Sequence, residues 1–365
     1  MARRTVIITG TNGKGSVAAT LSAALKAAGV RAGLYTSPHL ISVRERVRLG
    51  ERDLTWAEFD ALGARVLEVI DRTGTPASFF EALTAVAFLA MAEADVEVQV
   101  LEVGVGGARD ATRAAEPTHV AVTQIALDHA ALIGPTLADI AKEKLGVCAP
   151  KSLNVFAIPP RFARGAPPGW HLGKEVQFDV GSRLRVQTPD ADLELPLPRL
   201  AGAHQLRNAA LAAALSVRLG LDEAAIGAGM EQIRWRARLE RLPGSPETWL
   251  DGAHNPVGVA ALIRALPTIG LAPGFTLVFG AHPKKDAGPM LRRLAELAGE
   301  VVLTSAPLLR AARTLVGALP GRRGVSVVED PAEAVARARS LGEPVLIAGS
   351  LYLAGAILAG LEGSN

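Results

Sequence analysis

Residues 5–29 limit this chain more than any other stretch. A β-branched run from Thr5 to Thr9 breaks at Gly10. A glycine-rich turn carrying one lysine (Gly13-Lys14-Gly15-Ser16) then leads into a helix-period segment that ends at Gly29. Strand, loop and helix in that order bring the loop amides and the helix N-terminus to one point. The N–H groups and helix dipole there attract negative charge, so the turn is built to surround phosphate oxygens. Lys14 adds a mobile cation, and Ser16 a hydroxyl of the kind that coordinates Mg²⁺ on the same phosphates. The spacing departs from the usual Gly-x4-Gly-Lys-Ser/Thr pattern: Gly15 separates the lysine from the serine, and only two residues separate Gly10 from Gly13. A plain strand-to-helix turn would need neither the lysine nor the hydroxyl. Gly10, Thr11, Asn12, Gly13, Lys14, Gly15 and Ser16 are therefore expected to bind nucleotide phosphates.

Composition narrows the class. At about 150 residues per domain, 365 residues predict two domains. Hydrophobic residues at 49% against 21% charged describe a globular chain, and a net charge of +3 without a basic block points away from nucleic acid and anionic membranes. The uncharged run 345–361 is long enough to raise a membrane span. Its Gly349-Ser350 break and the strand-like VLIA before it favour a buried strand followed by a helix. The N-terminal apolar run is too short for a signal peptide. The single cysteine, Cys148, cannot close an internal disulfide, which suits a cytoplasmic location and a role as a small buried hydrophobe.

From residue 5 to residue 150, strand-like runs (VIIT, AGLYTS, VQVLEV, HVAVTQI) alternate with helix-like ones, the signature of a mainly parallel sheet. Over 151–200 the runs NVFAI, VQFDV and LRVQT lie among Pro and Gly and predict a small antiparallel subsheet. The charged, proline-punctuated stretch from Arg236 to Pro246 reads as the domain boundary, and strand–helix alternation resumes beyond it. The expected fold is α/β: a P-loop-type, mainly parallel ATPase domain over 1–240, and a smaller Rossmann-like α/β domain over 241–365.

In open α/β sheets ligands bind beyond the carboxyl ends of the strands, so polar residues that follow strand-like runs are candidates. Ser37 and His39 follow AGLYT, Glu102 ends VQVLE, and Asp128 and His129 follow VTQIAL. Each alone suits a turn or cap. Together Ser16, Ser37, Glu102 and His129 form the oxygen-rich set with one imidazole that Mg²⁺ near phosphates uses. The chain has 8 lysines against 31 arginines, and five of the eight fall in such segments: Lys14, Lys142, Lys144, Lys284 and Lys285. Lys142 and Lys144, two apart on a helical segment, point to different sides, so at most one can face a site. Asp251-Gly-Ala-His254-Asn255-Pro256 opens a helix after a strand. That loop, with Asn208 and Arg238, reads either as a set of nucleotide contacts or as ordinary turn residues.

These segments together resemble the Mur-type ATP-dependent amide ligases, and within them the folylpolyglutamate synthase/dihydrofolate synthase family. The motifs that carry the likeness are GTNGKGS (10–16), YTSPHL (35–40), SFFEALTAVAF (78–88), LEVGVGGARDAT (101–112), ALDH (126–129), AKEKLG (141–146), GAHQLRNA (202–209), RLE (238–240), LDGAHNP (250–256) and GSLYLAG (349–355). The resemblance implies a two-domain ligase that uses ATP and Mg²⁺ to join L-glutamate to a folate or dihydropteroate carboxylate through an acyl phosphate. Lys14, His129 and Lys144 would be catalytic, with Lys144 carbamylated and ligating metal alongside Ser16, Ser37, Glu102 and His129. Asn208, Arg238, Asp251 and His254 would contact the nucleotide, and Ser78, Phe80, Asp110 and Ser350 the substrates. A monomer acting on small molecules is implied. The alternatives are a Mur-type ligase for another acid or amino acid, or a nucleotide-binding protein without catalysis.

Differences from the family pattern are local. Ala130-Ala131 stands where a Thr-Asp pair is usual, Arg113 replaces an asparagine, and HPKKD (282–286) replaces a shorter Asp-Lys-Asp run. Relatives carry a further segment ahead of the phosphate loop that supplies part of the pterin pocket. A partial pocket and weaker use of dihydropteroate than of reduced folates are therefore expected. Of the two aromatics in SFFEA, Phe79 is expected in core packing.

Overall fold

The computed structural model describes residues 4–362, which divide into two compact units. The first comprises residues up to His39, then Val43–Arg199 and His204–Arg234; the second comprises Leu40–Ser42, Leu200–Ala203 and the chain from Trp235.

The first unit is built on eight strands: β1 (Arg4–Thr9), β2 (Ala32–Tyr35), β3 (Val47–Leu49), β4 (Arg52–Asp53), β5 (Val98–Glu102), β6 (His119–Val122), β7 (Leu153–Phe156) and β8 (Gly169–His171). Their order is β4-β3-β2-β5-β1-β6-β7-β8, with every pair parallel except the β2–β3–β4 edge. Helices α1 (Lys14–Ala27), α2 (Trp56–Thr73), α3 (Phe79–Glu93), α4 (Ala130–Ile133) and α5 (Leu137–Leu145) connect them, followed by α6 (Ala203–Arg218) and α7 (Glu223–Gln232). Strands β5 and β6 are buried throughout and β1 from Thr5 onward, as a parallel sheet covered on both faces requires. Capping boxes start α2 (Thr55 with Glu58), α3 (Ser78 with Glu81) and α5 (Thr136 with Asp139), each satisfying two orphan helix amides.

Two local expectations are corrected. NVFAI does not enter the small antiparallel sheet: Leu153–Phe156 pairs in parallel with β6, and Val155 and Phe156 are buried there. The antiparallel sheet is β9 (Gln177–Val180), β10 (Leu184–Gln187) and β11 (Asp192–Leu195), in the order β11-β10-β9. The HVAVTQI strand stops at Val122, because Thr123 and Gln124 turn their hydrogen bonds toward the loop after β1.

The second unit holds β12 (Glu240–Leu242), β13 (Thr248–Leu250), β14 (Thr276–Phe279), β15 (Glu300–Leu303), β16 (Val325–Val327) and β17 (Val345–Ala348), ordered β12-β13-β17-β14-β15-β16. Only β12 runs antiparallel. Leu277 and Phe279 of β14 enter one apolar cluster, and Val278 between them enters another. That alternation buries both faces under α8 (Pro256–Ala265), α9 (Ala287–Ala295), α10 (Pro331–Arg339) and α11 (Leu351–Glu362). The unit starts at Trp235, ahead of residue 241, because Ala237 packs in its core and β12 belongs to its sheet. Among the described residues no helix is long and apolar enough to cross a membrane; the 345–361 run is β17 followed by α11.

Candidate active site

The loop between β1 and α1 is held from several sides. Thr11 N–H donates to the Gln124 carbonyl at 2.7 Å, and its hydroxyl donates to the Ala126 carbonyl and accepts the Ala126 N–H. The Thr123 hydroxyl donates to the Asn12 carbonyl at 2.6 Å. Gly10 and Gly13 have φ of 141° and 88°, where a side chain is strained. A Cβ on Gly10 would stand 1.9 Å from Thr123 Oγ1, and one on Gly13 2.6 Å from Asn208 Oδ1. The glycines thus serve close packing as well as backbone freedom. They also seat Asn208 of α6, whose amide donates to Gln205 at 2.9 Å, directly against the phosphate loop. Thr123 carries no sequence signal beyond strand propensity, and composition could not have singled it out.

Two ammonium groups face this loop from opposite directions in the sequence. Lys14 Nζ donates to the Thr11 carbonyl at 3.2 Å and Lys144 Nζ to the Gly10 carbonyl at 3.0 Å. Lys144 is only 5% exposed, whereas Lys142 points to solvent, as spacing on a helix requires. Burial, and secondly the charge of Lys14, push the Lys144 ammonium down to about 7. A buried amine whose neutral form is accessible has the chemistry that carbamylation needs.

Glu102 ends β5, between β2 and β1, and is 6% exposed. Its carboxylate accepts the Ser37 N–H at 3.1 Å, which joins the candidates after β2 and β5. Ser16 is buried in the first turn of α1. His129 lies in the left-handed region (φ 51°) at the start of α4, beside Asp128, whose Oδ1 accepts its N–H at 2.9 Å. Its imidazole is partly solvent-exposed, and Asp128 Oδ1 is 3.9 Å from Nε2. Among the described residues no three His, Cys, Asp or Glu side chains converge. The candidate donors here are the Ser16 and Ser37 hydroxyls beside Glu102 and His129. Those hard oxygen donors with one imidazole fit Mg²⁺ in its phosphate-bound mode.

Candidates assigned to substrate have different surroundings. Ser78 is the N-cap of α3, and its hydroxyl and Glu81 bond each other reciprocally. Asp110 is buried, with Oδ2 accepting the Gly104 and Val105 amides and Oδ1 accepting the Thr112 amide and hydroxyl. Asp110 thus braces the loop that follows Glu102, whereas Ser78 closes its own helix. Phe80 packs inward against Gly104 and Tyr35, its ring centroid 5.9 Å from that of Tyr35. The expectation for Phe79 is overturned: it is 65% exposed, because the first turn of α3 turns Phe80 rather than Phe79 toward the sheet.

In the second unit, Asp251 is buried after β13, and its carboxylate accepts the Leu239 and Ala253 amides at 2.9 and 2.8 Å. It thereby fixes the strained Ala237–Leu239 turn that carries Arg238. The Arg238 guanidinium lies against Gly252, where a Cβ would stand 2.7 Å from Nη1. His254 Nδ1 is 2.9 Å from the Gly252 carbonyl. Ser350 is buried at the start of α11, and its hydroxyl accepts the Tyr352 amide.

Family models agree with this division. Residues 8–160 match the Mur ligase middle domain, and residues 237–351 match the Mur ligase glutamate ligase domain. A folylpolyglutamate synthase from Lacticaseibacillus casei is 32% identical over 99% of this chain and 91% of its own. A probable bifunctional folylpolyglutamate synthase/dihydropteroate synthase from Haloferax volcanii is 36% identical over 95% of this chain, which spans only 45% of that relative. The fold superposes on Escherichia coli FolC in complex with DHPP and ADP with a TM-score of 0.91, at 27% identity and over 100% of this chain and 89% of that one. A bifunctional folylpolyglutamate synthase/dihydrofolate synthase structure with Mn, AMPPNP and L-glutamate bound gives 0.89, at 29% identity and over 99% and 90% of the two chains. Phosphate loop, paired lysines and both matched domains agree: the chain belongs to the Mur ligase family, in its folylpolyglutamate synthase/dihydrofolate synthase branch.

Proposed function

We propose that this protein is an ATP-dependent ligase that joins L-glutamate to the carboxylate of a folate, or of dihydropteroate, through an acyl phosphate. The observation that carries the reading is the loop at residues 10–16, with Lys14 and Lys144 both bonded to its carbonyls and the buried Glu102 carboxylate bonded to Ser37 N–H from the neighbouring strand. A carboxylate oxygen of the acid attacks the γ-phosphorus of ATP, the bond to ADP breaks, and the acyl phosphate forms. The amine of glutamate then adds to the activated carbonyl, loses a proton and expels phosphate, leaving the amide.

The barrier comes from bringing two anions together. Lys14 and the α1 amides neutralise charge on the transferred phosphoryl group without reorganising. Ser16, Ser37, Glu102 and His129 would hold Mg²⁺, which offsets charge on the phosphate oxygens. Lys144 would add a further anionic ligand after its neutral amine takes up CO₂ with loss of a proton. Asn208, against Gly13, positions the nucleotide from the α6 side, and Arg238, Asp251 and His254 are assigned as nucleotide contacts by their place in the family's motifs. Ser78 and Asp110 shape the substrate loops, Phe80 fills the space behind them, and Ser350 is a contact for the amino acid.

The test is ADP release measured with tetrahydrofolate and L-glutamate, and with either omitted. Stoichiometric release with a one-glutamate mass gain in the acid is expected. Equal release with an unrelated acid or amino acid would assign the chain to another Mur-type reaction, and AMPPNP binding without turnover would make it a nucleotide-binding protein only.

A further inference from the structure

Arg46 is an arginine placed where this fold should avoid one. It is 8% exposed, yet it forms no ion pair with a carboxylate among the described residues. Burying a charge costs several kcal/mol unless it is paired, and a guanidinium cannot shed its proton to escape. The groups it contacts are neutral, while the Glu45 and Asp110 carboxylates act at longer range on His39 and Tyr35. Its Nε donates to His39 Nδ1 at 3.1 Å, it acts on the buried Tyr35 hydroxyl, and its Cζ lies 5.6 Å from the Phe79 ring centroid. Because the guanidinium can only donate, His39 Nδ1 is the acceptor in that bond. Phe79, the exposed aromatic that sequence patterning assigned to the core, stands over the same cation.

The site's position in the sheet selects the ligand. Arg46 precedes β3, whose Val47 pairs with Tyr35 at the end of β2, and its carbonyl accepts the Thr36 N–H one residue before Ser37. β2 is separated from β1 by β5. Two strand spacings put the β2 end about 9–10 Å from the loop that would hold the phosphates. That is too far for a carboxylate in contact with the γ-phosphate. It is within reach of a second carboxylate a few bonds further along the same acid.

We propose that Arg46, with the Phe79 ring beside it, is the specificity residue that docks the non-reacting carboxylate of a glutamate-terminated acid substrate. The planar guanidinium fork supplies bidentate recognition, and Phe79 covers the pair with an apolar surface. The inference rests on the ligase reading and predicts which acid that ligase prefers: an acid with two carboxylates engages Arg46, and dihydropteroate, with one, does not.

The experiment compares the wild-type protein with Arg46→Gln, Arg46→Lys and Phe79→Ala, measuring KM for tetrahydrofolate, dihydropteroate and ATP. Arg46→Gln should raise KM for tetrahydrofolate about ten- to a hundredfold, with KM for dihydropteroate and ATP within about twofold of wild type. Arg46→Lys keeps the charge but loses the fork, and should still raise it several-fold. It decides the matter if Arg46→Gln fails to fold. Phe79→Ala, at an exposed position, should raise it less. Equal shifts for both acids, or none, overturn the proposal. If the wild-type protein turns over neither acid, the ligase reading fails on its own. Equilibrium binding of tetrahydrofolate to the wild-type and Arg46→Lys proteins still decides the docking site, and equal affinities refute it.

Discussion

Lys14 and Lys144 donate to carbonyls one residue apart in the same loop, yet their surroundings give them different tasks. Lys14 is partly accessible at the start of α1, so Lys14→Ala should leave the fold intact and lower ATP turnover about a hundredfold or more, read by ADP release beside a thermal melt. Turnover near wild type would remove the phosphate-loop role. Lys144 is buried behind the loop, and Lys144→Ala should lose activity that a small carboxylic acid in the buffer partly restores, because a carbamate is a carboxylate on a spacer. No rescue at saturating acid would count against the carbamate. The phosphate loop was legible in the sequence because its chemistry is local: glycines, a lysine and a hydroxyl follow one strand within seven residues. Asn208 against Gly13, Thr123 against Asn12 and the unpaired charge of Arg46 were not legible, since each depends on residues far apart in the chain.

Among the elements, α3 separates a structural role from a substrate role. The Ser78 hydroxyl and the Glu81 carboxylate close a capping box, so Ser78→Ala should lower the melting temperature by a few degrees. If Ser78 acts only as a cap, KM for the folate acid should stay unchanged; a raised KM with an unchanged melt would restore it as a direct contact. At the other end of the sheet, β6 begins with His119, buried, with Nε2 3.3 Å from the Arg218 carbonyl. Burial lowers its pKa below 6.5, and the charges of Arg4 and Arg218 act in the same direction. The unfolded chain therefore binds the His119 proton first as pH falls, and stability is lost from about pH 6.5 downward. Melting temperature should fall more steeply between pH 7 and pH 5 for the wild type than for His119→Gln. Matching slopes would refute the assignment. Strand type was readable from β-branched runs, whereas sheet membership was not: NVFAI carries the same signal in a parallel or an antiparallel sheet, and only pairing with β6 decides it.

Across the whole molecule, strand–helix alternation was enough to specify α/β units, because parallel strands need a crossover helix each. The boundary fell at Trp235 rather than 241 since β12 completes the second sheet as an antiparallel edge, which local charge and proline content do not reveal. Both units carry buried, pre-positioned polar groups at strand ends, Glu102 in one and Asp251 in the other. The proposed reaction turns on one chemical event, transfer of an oxygen from the acid to phosphorus. That event leaves a label. With the reacting carboxylate of the folate acid enriched in ¹⁸O, turnover with ATP and L-glutamate should release inorganic phosphate that carries one ¹⁸O from the acid, in proportion to the amide formed. Amide formation with unlabelled phosphate, or labelled phosphate in no fixed ratio to amide, would contradict the acyl-phosphate account.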